Sequence, residues 1–350
     1  MTKKSEYFDL DEICKYDFDY PDNLISLDPL KDRQKAKMLV SNNDGFIHDE
    51  VGKLTDYISK KDLLVFNNTK VIPCRLKAKK NKDFSAIDIE VTLNKFEHDG
   101  TWSSFCMPGR KLKEGDKLHF ARNLFAEVSK KKYGLYFLKF NKSFTDLLKL
   151  LDQIGEMPIP PYILKKRGFR ESDFENYQTS FAKNNGSVAA PTASLHFDKK
   201  LFNKIKEKKI PYCFVTLHVS GGTFIPIKSK TLSDHIMHSE FAKVGSKSAS
   251  KIRNTLDAGG RIIAVGTTTL RVLESNEFFN EGQFSSFEKD INTFIKPGHK
   301  FKVCSGLLTN FHQPKSTLFV LVNAFIGIRK SKSLYQEAII RNYRLFSYGD

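Results

Sequence analysis

No run of about 18 apolar residues occurs anywhere in the 350-residue chain, so no segment is suited to cross a bilayer as a helix. The opening MTKKSEYFDLDEICKYDFDYP lacks the continuous apolar stretch of a secretory signal, and the chain is expected to stay in the cytoplasm. C-x-x-C is missing too. The five cysteines, Cys14, Cys74, Cys106, Cys213 and Cys304, are odd in number and scattered, which speaks against a zinc ribbon or dithiol motif and predicts reduced, mostly buried thiols. H-E-x-x-H is absent, and so is the G-x-G-x-x-G spacing that lets a backbone approach a dinucleotide, so neither a zincin nor a conventional Rossmann cofactor site is indicated. Neither an internal repeat nor a low-complexity linker is present.

What the chain does hold is a globular balance, 40% hydrophobic and 28% charged, with a net charge of +17 that would suit a polyanionic partner. Lysine-rich stretches such as Lys165, Lys166, Arg167 and Arg170 are expected to meet phosphates. Leu63 to Phe66 reads as a short buried strand ending in an Asn-Asn-Thr turn. From Val71 to Phe140 the period is two: Ile87, Ile89, Val91 and Leu93 alternate with Asp88, Glu90 and Thr92, and glycines punctuate the runs, as in a small β-barrel or sandwich. Ser143 with Asp146 forms a capping box that opens a helix. Strand and helix signals then alternate: a strand at Tyr212 to Val219, a helix at Ala242 to Ala258, a strand at Arg261 to Val265 and a helix from Thr268 to Ser275. The expected architecture is an α/β domain made of residues 1–68 and 143–350, with a small all-β, barrel-like domain, 69–142, inserted into it.

Four polar segments stand out. GGRIIAVGTTTLRVLES places Thr267 and Thr268 at a helix start, where hydroxyls and free N–H groups can receive a carboxylate or phosphate. SGGTFIPIKSKTLSDHIMHSEF gathers Asp234, His235, His238 and Glu240 after a glycine pair. General acid and base work by His238 and Glu240 is favoured there over metal binding, because a zinc site wants three or four ligands. GSVAAPTASLHF sets His196 among small residues, and GLLTNFHQPKSTLFVLVNAFIG holds a polar loop, Asn310 to Thr317, between apolar runs. Each of these residues could equally serve only to tie a loop down.

These segments, with DNLISLDPLKDRQKAKMLV, DLLVFNNTKVIPCRL, GEMPIPPYI, YQTSFAKNNGSVAAPTASLHF and the terminal YRLFSYGD, resemble the S-adenosylmethionine:tRNA ribosyltransferase-isomerase family of queuosine biosynthesis, in order from residue 23 to 350. Asn68, Ser194 and Gln313 stand where the family pattern usually has Asp, Gly and Leu. The resemblance implies transfer and isomerisation of the ribosyl group of S-adenosylmethionine onto 7-aminomethyl-7-deazaguanine at the wobble position of a tRNA, with release of adenine and methionine. It implies no metal or organic cofactor, S-adenosylmethionine being a consumed co-substrate, and a monomer that binds tRNA and no membrane. Under it, His238, His196, Glu240 and Asp234 are the candidate acids and bases. Thr267 and Thr268 with Arg271 or Lys315 would take the methionine carboxylate, and Phe311, Asn310 and His312 the deazaguanine. A non-catalytic RNA-binding protein, and a metal hydrolase built on His235, His238 and Glu240, are the competing readings.

Overall fold

The computed structural model describes residues 10–350 except 43, 83, 84 and 225, with 82, 85, 223 and 224 described by backbone alone. Ile225 of the SGGTFIPI segment therefore lies outside the described residues. Along the chain come a hairpin, β1 (Lys37–Asn42) and β2 (Gly45–Glu50), then β3 (Leu63–Asn67) and β4 (Thr69–Val71). Six strands follow: β5 (Arg75–Lys82), β6 (Ser85–Phe96), β7 (Trp102–Met107), β8 (Lys117–His119), β9 (Phe125–Lys132) and β10 (Leu135–Phe140). Next are α1 (Phe144–Ile154), α2 (Pro161–Arg167), α3 (Asp173–Asn176), β11 (Asn184–Ser187), α4 (Lys199–Glu207) and β12 (Tyr212–Leu217). The last third holds β13 (Glu240–Val244), α5 (Ser246–Asp257), β14 (Ile262–Val265), α6 (Thr267–Leu273), β15 (Phe279–Asn280), β16 (Gln283–Phe284), β17 (Phe287–Ile291), β18 (Gly306–Leu308), α7 (Thr317–Ile326) and α8 (Ile328–Ile340). The chain divides into two compact units, one of residues 1–67, 192–215 and 222–350, the other of 68–191 and 216–221.

The first unit is built on a six-stranded sheet in the order β17-β13-β12-β3-β14-β18. β12, β3, β14 and β18 run parallel, while β13 and β17 pair antiparallel at one side. All five residues of β3 and all four of β14 are buried, the continuous apolar run of strands covered on both faces. The chain lays β12 on one side of β3 and later β14 on the other, so strand order reverses at the centre of the sheet. A side chain at Gly260, just before β14, would put its Cβ 2.0 Å from the Lys61 carbonyl oxygen, so only glycine lets the chain enter the sheet there. The helix expected over Ala242 to Ala258 starts later. Ala242 and Val244 alternate inward within β13, paired to Lys289 and Phe287, and the helix opens only after Gly245.

In the second unit β10-β7-β6-β5-β8-β9 close into a barrel. The alternation read from the sequence is the alternation observed: Ile89, Val91 and Leu93 point into the core with Leu76, Leu118, Val128 and Leu138. The unit reaches past the expected end at residue 142, because α1 sends Leu147 and Leu151 into the same core and Val188 joins it. The Ser143 hydroxyl accepts the Asp146 N–H (3.2 Å), the cap that the sequence signals. At the other end of α1, a Cβ on Gly155 would lie 1.9 Å from the Pro73 carbonyl oxygen.

Candidate active site

In an open α/β sheet the crevice that takes ligands lies beyond the carboxyl ends of the strands, where strand order reverses. In the first unit that region belongs to the residues just after β3, β14 and β18. Asn67 closes β3 and its amide donates to Thr268 Oγ1 (3.4 Å) at the start of α6. Between β14 and that helix stands Gly266 with φ +92°, a conformation that a residue with a Cβ rarely adopts. A Cβ there would also sit 3.9 Å from Ala193 of the TASLH turn. That turn supplies Thr192, whose hydroxyl donates to Asn310 Oδ1 (2.7 Å), and His196, whose Nε2 lies 3.4 Å from Asn310 Nδ2. Asn310 also donates to the Gly349 carbonyl (3.3 Å), so two distant segments, the TASLH turn and the residues around Gly349, meet on one amide.

Next to it the His312 ring shares a hydrogen bond with Thr309 Oγ1 (2.8 Å), and its backbone N–H donates to the Tyr335 hydroxyl (2.9 Å). Phe311 is held edge-on by Tyr335 and Tyr343. A cleft of about 330 Å³, within the usual range for small-molecule sites, opens here, lined by His196, Thr309, Asn310 and Phe311, by the charged Lys37, Arg261 and Asp350, and by apolar residues of β1 and α7. Burial lowers the His196 pKa to about 4, the Asp350 carboxylate pulling the other way and the Arg344 and Arg33 charges reinforcing the drop. Burial alone takes His312 to about 3. Both imidazoles are therefore neutral at physiological pH, able to accept a proton or offer a hydrogen bond.

Other expected residues lie elsewhere. Glu240, at the start of β13, is 1% exposed and paired to the Arg271 guanidinium (2.5 Å), which also donates through Nε to the Thr293 carbonyl (3.0 Å). The acid expected at Glu240 and the carboxylate-binding cation expected at Arg271 thus neutralise each other inside the fold. Lys315 forms a half-exposed surface pair with Asp17 (2.5 Å). Asp234 is exposed and accepts a hydrogen bond from Thr231 (2.6 Å) rather than from a histidine. His235 and His238 lie outside any helix. His238 is exposed and its ring rests on Gly222, where a Cβ would approach Cδ2 to 2.6 Å. Burial and then the neighbouring His238 charge lower the His235 pKa. With Glu240 committed to Arg271, the His235, His238, Glu240 metal site loses its carboxylate, and among the described residues no three potential ligands converge.

Asn67, Thr192, Thr309, Asp350 and Arg344 complete the crevice; each lies in a segment that carries the family resemblance, though the sequence pattern assigns none of them a role. Asp350 accepts from the Lys37 N–H (3.1 Å) and the Arg344 guanidinium (2.9 Å). The second unit has a polar cluster of its own. Asn68 Oδ1 accepts from Asn184 (3.1 Å) and Thr216 (2.7 Å), and Thr69 Oγ1 shares a hydrogen bond with His218 (2.8 Å). Gly186 lies so close to that imidazole that a Cβ would meet it at 2.8 Å. The oxygen of Asn68 does what a carboxylate oxygen would do there, accepting two hydrogen bonds.

Residues 13–350 match the family model described as queuosine biosynthesis protein. The chain is 42% identical over 343 residues to the S-adenosylmethionine:tRNA ribosyltransferase-isomerase of Ruegeria pomeroyi, covering 97% of this chain and 98% of that protein. Similarity to the protein of that name from Rickettsia bellii is 40% over 354 residues, covering 97% and 98%. Among solved structures, an S-adenosylmethionine tRNA ribosyltransferase from Thermotoga maritima superposes with a TM-score of 0.54 at 31% identity, covering 96% of this chain and 98% of that one.

Proposed function

The chain belongs to the queuosine biosynthesis protein family, and from that premise we propose that it is an S-adenosylmethionine:tRNA ribosyltransferase-isomerase. It transfers and isomerises the ribosyl moiety of S-adenosylmethionine onto 7-aminomethyl-7-deazaguanine at the wobble position of tRNA, giving epoxyqueuosine and releasing adenine and methionine. The observation that carries this reading is the likeness, over 97% of the chain, to proteins of that name. No organic cofactor or metal enters it, the enzyme works in the cytoplasm, and the chain acts as a monomer.

Within this reading the crevice of the first unit receives the donor. A sulfonium acidifies the C–H beside it, so a modest base suffices, and a neutral His196 with Asn310 beside it is suited to take that proton and, once charged, to pass it to departing adenine. Thr267, Thr268 and the free N–H groups of the first turn of α6 can hold a carboxylate without a cation, which fits the loss of Arg271 to an internal pair. His238, exposed beside Gly222, is the second candidate for proton transfer. Asn310, Phe311 and His312 provide an amide, an aromatic edge and an imidazole for the modified base.

The purified protein, given S-adenosylmethionine and a tRNA carrying 7-aminomethyl-7-deazaguanine, should release adenine and methionine in equal amounts, one of each per modified nucleoside. Tight tRNA binding with no adenine release would leave a non-catalytic RNA-binding protein instead.

A further inference from the structure

The β9–β10 hairpin of the barrel departs from ordinary turn chemistry. Its strands pair up to Lys132 and Leu135, leaving a two-residue connection, Tyr133–Gly134, with φ of +52° and +78°. A turn with both central residues in the left-handed region is normally filled by Asn-Gly, Asp-Gly or Gly-Gly, and a bulky side chain at positive φ is disfavoured. Tyr133 occupies that position while 89% exposed, the most exposed large hydrophobic side chain among the described residues. A residue that is poor for the turn and buries nothing contributes little to folding, and such outliers point to function.

What surrounds it is basic. Lys130, Lys131 and Lys132 lead into the turn, their ammonium groups over the rings of Phe137, Tyr136 and Tyr133 at 4.2, 5.2 and 4.9 Å. The 109–113 segment is tied to the same end of the barrel. The Tyr136 hydroxyl donates to the Gly109 carbonyl (2.5 Å), and Glu114 accepts the Lys131 backbone N–H (3.0 Å). That segment adds exposed Arg110, Lys111 and Lys113. None of these six cations forms an ion pair with a described residue.

We propose that this end of the barrel, the β9–β10 turn with the 109–113 segment, is an RNA-contacting surface, its cations meeting phosphates and Tyr133 stacking on an unpaired base of the tRNA. Unpaired cations beside an exposed aromatic ring are what single-stranded nucleic acid binds: the cations follow the backbone and the ring accepts a base face. The proposal rests on the reading that tRNA is the substrate.

Two variants test it in the full-length enzyme. Tyr133→Asn places the preferred residue in the turn, so its melting temperature should equal or exceed that of the parent. Its affinity for acceptor tRNA should fall about fivefold or more through loss of stacking, with an unchanged salt dependence. Replacing Lys130, Lys131 and Lys132 together by Ser should weaken tRNA binding about tenfold or more. It should also make the slope of log K against log salt shallower by about 2, since each phosphate contact contributes roughly 0.7 to 0.9. In both variants turnover at saturating tRNA should match the parent, the loss appearing in KM for tRNA. Parental affinity and salt slope in both would overturn the assignment. So would loss of binding to phosphatidylserine vesicles with tRNA affinity intact, which would make the surface a lipid contact. If the parent enzyme bound tRNA through this surface and released no adenine, the catalytic reading would fail and the contact would stand.

Discussion

At the scale of single residues, three imidazoles set how stability answers to pH. Burial lowers His196 and His218 to about 4 and His312 to about 3, each from an ordinary value near 6.5. Below pH 6.5 the unfolded chain binds protons at these positions that the folded chain refuses. Stability therefore rises with pH through this window and is lost as pH falls from 6.5 toward 4. One pKa unit is worth about 1.4 kcal/mol, so a fully buried histidine costs about 2 kcal/mol at pH 5. His196 and His218 are partly exposed, and discounting them leaves a total of roughly 2 to 4 kcal/mol. Carboxylates with lowered pKa, such as Asp62 beside Arg261, act in the same sense only below about pH 4. Urea unfolding should therefore give lower stability at pH 5 than at pH 7, and His312→Gln should shrink the difference by about 2 kcal/mol. Equal stability at the two pH values would show that these rings are solvated. The sequence marks His196, Asn310 and His312 as polar residues in apolar surroundings. It could not give the protonation state of the two histidines, which follows from their burial in the fold and, at His196, from Asp350, Arg344 and Arg33, all far away along the chain.

At the scale of elements, β13 and α6 are joined by the buried Glu240–Arg271 pair, 1% and 2% exposed. The spacing DHIMHSE suggested a catalytic acid because Glu240 lies two residues from His238. In β13, however, residues alternate faces, and Glu240 opens an inward set with Ala242 and Val244. Likewise α6 is buried on every side, so its Arg271 needs an internal partner. No periodicity in either segment reveals this, since the two groups are 31 residues apart and meet only in the folded sheet. Breaking a buried pair by removing one partner leaves an uncompensated charge, at a cost of about 3–5 kcal/mol, whereas replacing both by apolar residues can be neutral. Arg271→Met and Glu240→Leu should each lower stability by that amount, and the double variant should recover most of it. A double variant as unstable as the worse single one would show that the pair does more than neutralise itself. Locally coded elements are the ones the sequence shows well, namely the barrel strands with their alternation and α1 with its capping box. The end of β13 is poorly coded, because Ala242 to Val244 suit helix and strand equally until β17 pairs with them.

At the scale of the whole molecule, the composition carries a net charge of +17 but says nothing about which cations are available. The structure divides them. Arg167, expected to face phosphate, is 4% exposed and forks onto Asp173 at 3.0 and 2.6 Å. Arg271 and Lys315 are paired within the first unit, while Arg110 and the lysines of the β9–β10 turn belong to the barrel unit and form no close ion pair with a described residue. Salt should accordingly act on the two substrates differently. Phosphate contacts release counterions, so raising salt from about 50 to 200 mM should increase KM for tRNA about tenfold or more. The crevice proposed for the donor offers Thr hydroxyls, backbone N–H groups, Asn310 and neutral imidazoles, which salt screens weakly because they carry no net charge, and its Asp350 is already held by Arg344. KM for S-adenosylmethionine and turnover at saturating tRNA should therefore stay within about twofold over the same range. Steady-state kinetics with each substrate varied in turn, at four or five salt concentrations, would separate the two responses. A fall in saturated turnover parallel to the loss of tRNA affinity would mean that exposed charges enter the chemical step, and the division between a basic binding surface and a neutral reaction crevice would be wrong.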